Sequence, residues 1–428
     1  MAEDVDGAAL GARLLECGRK EGALLTEGLE VGCRADCGCW VYATELIPAG
    51  TVLISVPGNL VLRSNRIGYD AIDDLLGLKG VANHEMPTGQ DTWLRDADQA
   101  RLVLRLLLDP PDYYKPIPLD YFSEAPLAWP TATIEAFSGR HSAYALRLQD
   151  EQKTCQEEFK NIQEAMKRLD LPGSSSVSFE SYIWAKLCVQ TRAFVCHTGH
   201  VMVPVIDLVN HAYGRASNAV LQRIPADGAV ELSSVRDIRP GEQVYICYDG
   251  AADFLDLWFR YGFFDKYCTC HTAEIMIEKS EVGSWGGNHE EVLKLLDALG
   301  ECVQDADGNE RWLCWLDLYG FEFPLIKMLR CSQLSAEDAR GCARRELDEA
   351  DPLDGKLASP LHDEMELLVH MKLQELLRKR LSNRKQSPTP CAGRDGLIAH
   401  AVVDYEERLL EWVLHRSHGW TKKARARL

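Results

Sequence analysis

No stretch of the 428 residues approaches the ~20 consecutive apolar residues that cross a bilayer, so no membrane partner is expected. Positive charge is scarce: 47 Lys and Arg stand against 65 Asp and Glu, a net charge of −18. Binding to phosphate backbones needs clusters of Lys and Arg, so no nucleic-acid partner is expected. The opening MAEDVDGAAL is acidic and carries no Arg, which fits neither a secretory signal nor a transit peptide. Internal repeats and long low-complexity tracts are also missing. What remains is 46% hydrophobic and 26% charged, enough apolar material for two or three domains with cores. Fifteen cysteines without an export signal read as reduced thiols, and the expected location is cytoplasmic. The acidic balance suits a basic substrate or partner, through steering rather than through fold.

Along the chain, short β-prone runs and helical periodicity alternate. WVYATELIPAGTVLISVPGNLVLR (40–63) reads as a small β-hairpin unit punctuated by PAG and PG turns. From about 66 to 190 the signal is helical: TWLRDADQARLVLRLLLD and AYALRLQDEQKTCQEEFKNIQEAMKRL place apolar residues at i, i+3 and i+4. A Pro-rich, aromatic connection, PPDYYKPIPLDYFSEAPLAWP, separates them. Residues 200 to 265 return to β, with NAVLQRI and AVELSSV flanking a PADG turn and RPGE leading into QVYICY. Beyond 285, EEVLKLLDALG, LHDEMELLVHMKLQELLRKRL and LIAHAVVDYEERLLEWVLHR read as helices. Two β segments separated by ~130 residues must pair across the insert, since each alone is too small to bury a face.

The run VMVPVIDLVNHAYG (201–214) starts as a buried strand, yet it carries Asp207 and ends on Asn210 and His211. Each of these groups costs free energy to bury without a partner. PVIDLVNH, followed by GEQVYICYDG and YGFF, resembles the SET-domain methyltransferases. The branch it resembles is typified by the Rubisco large-subunit lysine methyltransferase and the actin-histidine methyltransferase. TELIPAGTVLISVP is similar to the first strands of that branch, IWAKLCVQTRAF to the helix that returns the chain to the domain, and AVVDYEERLLEWVL to the last lobe helix. The resemblance implies an α+β fold: a β-rich SET domain split by a helical insert and followed by an all-α C-terminal lobe. The expected boundaries are 25–65 and 191–270 for the two halves, 66–190 for the insert and 271–428 for a lobe that docks a protein substrate. A monomer is expected.

The resemblance further implies S-adenosylmethionine as cofactor, held by Gly38, Asn210, His211 and Phe263, and a methyl transfer at Tyr248 onto a lysine, less readily a histidine. Arg192 and Asp207 match positions that line the substrate channel. Read as residues alone, Asn-His can simply cap a turn, Tyr248 and Phe263 can be core aromatics, and Arg192 with Asp207 can be a structural ion pair. All of these readings stay open in the sequence.

Two stretches depart from the family. Its Glu-Gly-x-Gly turn is here CGCW, with Cys37 for the acid and Trp40 for the second glycine. After Tyr248 the family's Asn is missing and the chain reads YDGAADF. These departures leave an inactive SET-fold binding module as the alternative. A third reading, a metal-binding adaptor, would use Cys33, Cys37, Cys39 and the CTCH of Cys268, Cys270 and His271. Cys-x-Cys is a poor zinc spacing, so free thiols and no metal are expected. DADGNE (305–310) has the wrong spacing for a calcium loop and reads as an Asp-Gly hairpin turn. The C-terminal TKKARARL reads as a solvated basic tail, a nuclear signal or a steering patch, and its final Ala-Arg-Leu resembles a peroxisomal tripeptide.

Overall fold

A computed structural model describes residues 7–34, 38–64, 97–138, 143–168, 177–196, 199–222, 228–250, 252–265, 268, 271–282, 290, 302–304, 310–317, 325–333, 363–385 and 394–426. They belong to two compact units. The first comprises residues 1–128, 155–252 and 256–268; the second, residues 129–154, 253–255 and 269–428.

The first unit holds eleven described strands in four small sheets. β1 (Leu24–Leu25), β4 (Val52–Val56), β9 (Ala219–Leu221) and β10 (Val230–Ser234) form one sheet in the order β1-β4-β10-β9. β2 (Leu29–Arg34) pairs with β3 (Gly38–Ala43). β5 (Leu62–Arg63), β6 (Ala193–Cys196) and β7 (Gly199–Met202) stand in the order β5-β7-β6, and β8 (Asn210–His211) pairs with β11 (Tyr245–Ile246). The expected pairing across the insert is present: β4 runs antiparallel to β10, and Ile47 bridges Ile238. Leu53, Ile54, Val56, Val230 and Leu232 carry this seam into the core, each fully buried. The hairpin expected within 40–63 is instead β2 with β3, one strand earlier. The PAG turn separates β3 from β4, which lie in different sheets, because β4 buries its apolar side chains against β10.

In β3 the strand period is visible: Cys39, Val41 and Ala43 are buried, while Gly38, Trp40 and Tyr42 lie on the other face. Cys33 and Cys39 face each other across the hairpin and their sulfurs are bonded. This corrects the expectation of free thiols for that pair; directly opposed strand residues bring their Cβ atoms within bonding reach. Among the described residues, Cys17, Cys188 and Cys247 are free thiols.

Two insert helices follow the sequence periodicity, Ala97–Leu108 and Ala143–Arg168, and a third, Phe179–Arg192, stands where the resemblance implies a helix. Ser178 caps the last through a box with Ser181, whose N–H it accepts at 3.1 Å. Trp184 of this helix donates its Nε1–H to the Ile117 carbonyl at 2.8 Å, tying the Pro-rich connection to it.

The second unit contains the two long helices expected near the end, Asp363–Lys385 and Arg394–Arg425. Leu373, Leu377, Leu410 and Val413 are buried in its core. The chain is helical through Arg425, so most of the basic segment is the last helical turn rather than a tail. The unit also carries a three-stranded antiparallel sheet, β12 (Thr272–Glu278), β13 (Cys302–Gln304) and β14 (Glu310–Asp317), in the order β12-β14-β13. The lobe is therefore not all-α. Ile275 and Ile277 alternate inward opposite Trp312 and Cys314, a period-2 pattern that was absorbed into the helical reading of the region. β13 pairs antiparallel with β14, and residues 305–309, where an Asp-Gly hairpin turn is expected, lie outside the described residues. EEVLKLLDALG, Cys37 and Cys270 lie outside the described residues, Glu290 excepted.

Candidate active site

The buried strand expected from residue 201 stops at Met202. Pro204 cannot donate to a sheet, and Val205 sits at φ 69°, alone among described non-glycine residues in positive φ. A β-branched residue there needs outside support. It comes from Tyr113 in the Pro-rich connection. The buried Tyr113 hydroxyl accepts the Val205 N–H at 2.8 Å and donates to Asp207 Oδ1 at 2.8 Å. A short 3₁₀ turn, Ile206–Leu208, then delivers the chain to β8.

β8 lies parallel to β11, with Asn210 opposite Tyr245 and His211 opposite Ile246. This crossing sets the register of Tyr248. Its backbone N–H donates to His211 Nδ1 at 2.9 Å, and its hydroxyl donates to the Val209 carbonyl at 2.8 Å. With no Asn after Tyr248, the strand leading to it is tied from a different place. The fully buried Asn218 donates to the Gln243 carbonyl at 2.8 Å and accepts the Tyr245 N–H at 2.8 Å. Tyr213 adds a bond from its hydroxyl to the Ala252 carbonyl at 2.6 Å.

Arg192 and Asp207 are brought together, as an ion pair and as cavity wall at once. Arg192 Nη1 donates to the Asp207 backbone carbonyl at 3.2 Å and stands 3.6 Å from its Oδ2. The guanidinium lies 4.9 Å over the ring of Tyr121. Burial pushes the Asp207 carboxyl up, against the opposing pull of Arg192 and Tyr113. Both residues line a cavity of about 600 Å³, together with Val209, Tyr248, Tyr261 and Asp249.

Burial, with Tyr121 next, also pushes the Tyr248 phenol well up, so it stays protonated across the physiological range. His211 moves the other way: burial lowers it, against Asp265 and Asp249. It is neutral at pH 7. Because Nδ1 accepts from Tyr248, the proton resides on Nε2, which faces Asp265 Oδ2 at 3.7 Å.

Phe263 joins this group, its ring 5.9 Å from His211 and 6.3 Å from Tyr248. The preceding Gly262 cannot be replaced: at φ 81°, a Cβ would stand 2.6 Å from the Ala125 backbone nitrogen. Gly38 opens β3 at φ 72°, and a Cβ there would stand 3.0 Å from the Tyr121 hydroxyl. Trp40 does not turn toward the core. Its indole lies over Gly32 on the paired strand, where a Cβ would meet it at 2.6 Å. Tyr113, Tyr121, Tyr261 and Asn218 were not among the expected site residues. For the three tyrosines the only sequence signal was aromatic density in the Pro-rich connection and in YGFF; Asn218 carried none. Among the described residues, no cluster of His, Cys, Asp and Glu could hold a metal.

Residues 38–249 match the family model of the SET domain. The chain is 26% identical over 268 residues to the ribosomal lysine N-methyltransferase set11 of Schizosaccharomyces pombe, a match covering 61% of each. It is 29% identical over 114 residues to the ribulose-1,5-bisphosphate carboxylase/oxygenase large subunit N-methyltransferase of Pisum sativum, covering 24% of this chain and 23% of that one. The match thus spans about three fifths of the first relative's length and a quarter of the second's. Among solved structures, the SET domain of LSMT bound to lysine and AdoHcy superposes with a TM-score of 0.71 at 16% identity, over 97% of this chain and 92% of that one. Rubisco LSMT bound to AdoMet gives 0.66 at 17%, with the same coverage.

Proposed function

This chain carries a SET domain of the Rubisco-methyltransferase branch, and from that premise we propose that it transfers methyl groups from S-adenosylmethionine to a lysine side chain of a protein partner. The observation that carries the reading is the crossing of β8 and β11. It brings the Tyr248 hydroxyl, the Val209 carbonyl and the Arg192-bound Asp207 carbonyl to one cavity beside Asn210 and His211.

The residues present fit such a cofactor. Asn210 is half-buried, and no described residue occupies its carboxamide, which leaves a donor and an acceptor for a ligand. Gly38 brings a bare backbone to the Tyr121 side of the site, where a Cβ would crowd it. Aromatic rings of Tyr248, Tyr261 and Phe263 supply an apolar wall. When bound, S-adenosylmethionine supplies an electrophilic methyl group.

The chain's own residues must then present a neutral amine. At pH 7 a lysine with reference pKa ~10.4 costs roughly 4.6 kcal/mol to deprotonate. An apolar channel lowers that cost by disfavouring the ammonium. Tyr248 cannot act as the base, because burial keeps it a phenol. Its role is to orient: hydroxyl and carbonyl oxygens fix the direction of the amine lone pair, which in-line displacement requires.

The inactive-module alternative rested on Trp40 and on YDGAADF. The indole is accommodated over Gly32, and Asn218 supplies the missing tie, so neither departure obstructs the site. In this reading the second unit docks the protein partner. The test is methyl transfer from labelled S-adenosylmethionine to proteins of a lysate, with the modified residue located by mass spectrometry. Tyr248→Phe should retain cofactor affinity and lose roughly 10²–10³-fold in turnover. Equal turnover in the two proteins, or label found only on residues other than lysine, would overturn the proposal.

A further inference from the structure

The cavity is walled by two consecutive triplets: Ala193, Phe194 and Val195 of β6, and Ala219, Val220 and Leu221 of β9. Successive strand side chains point to opposite faces, so three in a row can line one space only where that space meets the strand's edge. The sheet orders agree, since β6 and β9 each end their sheet. The site therefore opens between two strand edges, a shape that accepts an extended segment.

The chemistry of that opening differs from the chemistry of the whole chain. Val195 is 77% exposed, Val220 46% and Val235 54%, and all three line the cavity. Isolated exposed valines are ordinary, but three around one opening form an apolar rim. The lining charges are matched: Arg192 with Asp207, and Arg260 with Asp249 at 3.5 Å. Among the described lining residues no carboxylate is left over for a basic flank, despite the net charge of −18. A Lys or Arg beside the target would lose water against valine without gaining a partner.

We propose that the segment methylated by this chain lies extended between β6 and β9, and that the residues on either side of its target lysine are aliphatic, read by Val195, Val220 and Val235. This rests on the function proposed above and narrows its substrate class. It also opposes the simplest reading of the acidic composition, which favours a basic target.

The test uses the full chain and short labelled peptides with one central lysine, flanked by Val/Ile, by Lys/Arg or by Glu, with affinity read by fluorescence anisotropy in the presence of S-adenosylhomocysteine. The aliphatic peptide should bind about tenfold more tightly than either charged one, the effect of burying one apolar side chain. Val195→Asp and Val220→Asp lie on the exposed rim and should reverse the preference toward the Lys/Arg peptide. A parent that prefers the basic peptide, or shows no preference, overturns the inference, as does an unchanged preference in both variants. S-adenosylmethionine affinity, measured separately on the same samples, reports on the proposed function alone. Its absence alongside a retained aliphatic preference would remove the enzyme and leave the docking rule standing.

Discussion

Among the described residues, Arg192 with Asp207 in the first unit and Arg330 with Glu366 in the second are buried arginine–carboxylate pairs, and the two are built differently. In the lobe, Arg330 and Glu366 meet side by side, Nε to Oε1 at 2.8 Å and Nη2 to Oε2 at 3.1 Å. That is the two-point geometry in which an ion pair satisfies itself. At the crossing, Arg192 gives its better bond to the Asp207 backbone carbonyl, while the Asp207 carboxylate gives Oδ1 to Tyr113. The side-chain charges stand at 3.6 Å. A pair that only stabilises closes on itself. The crossing pair is held open by other partners, and what it fixes is the position of a carbonyl on the cavity wall. The difference separates a structural pair from one that shapes a site.

Breaking each pair should sharpen that contrast most. Arg330→Leu removes both of these bonds from the buried Glu366, and should cost about 3–5 kcal/mol in a urea titration. Arg192→Leu should cost less stability, because Asp207 retains Tyr113, yet it should abolish methyl transfer by releasing the Asp207 carbonyl. Equal stability losses in the two variants would contradict the distinction.

Tyr113→Phe is next in size. It strips the partner from the Val205 N–H and from Asp207 Oδ1, an expected loss of about 1–3 kcal/mol. A turnover loss larger than the stability loss implies would place Tyr113 among the groups that hold the Val205 turn. A change in neither would remove that role.

Much of this arrangement was readable beforehand. Pairing of β4 with β10 followed from two β segments too small to stand alone, and the long helices followed from apolar spacing in segments such as Ala97–Leu108. Asn210, His211, Tyr248 and Phe263 do converge. The break at Pro204 and Val205 was hidden because VMVPVIDLV is apolar but for Asp207, and apolarity alone cannot distinguish a strand from a buried turn. Tyr113 and Tyr121 were hidden for a related reason: they come from an irregular connection, where no period marks which side chain points inward. The β12-β14-β13 sheet alternates legibly, but lies between stretches whose composition favours helix.

A smaller effect comes from histidine. Burial lowers both His211 at the crossing and His370 in the lobe. The folded state then binds fewer protons than the unfolded state below the reference pKa of 6.5, so stability is fully present above that value and falls as pH drops through it. Replacing either residue by Asn should flatten the slope in denaturant midpoints below pH 6.5. Only His211→Asn should also weaken methyl transfer at pH 7.5, because only His211 holds the Tyr248 N–H. If His370→Asn lowers turnover equally, the two histidines are not distinguished by role.

The smallest effect expected is Trp40→Ala. With its indole over Gly32, away from the buried face of β3, the substitution should change cofactor affinity by about twofold or less. A tightening of tenfold would show that the indole crowds the site.

The most direct measurement is a calorimetric titration of the full chain with S-adenosylmethionine, alongside Asn210→Ala checked for folding by circular dichroism. The expected result is saturable binding to the parent and affinity at least about tenfold weaker in the variant, the loss expected from one buried hydrogen-bonding side chain. A folded parent that does not bind, or equal affinity in both proteins, would contradict the assignment of the crossing as a cofactor site.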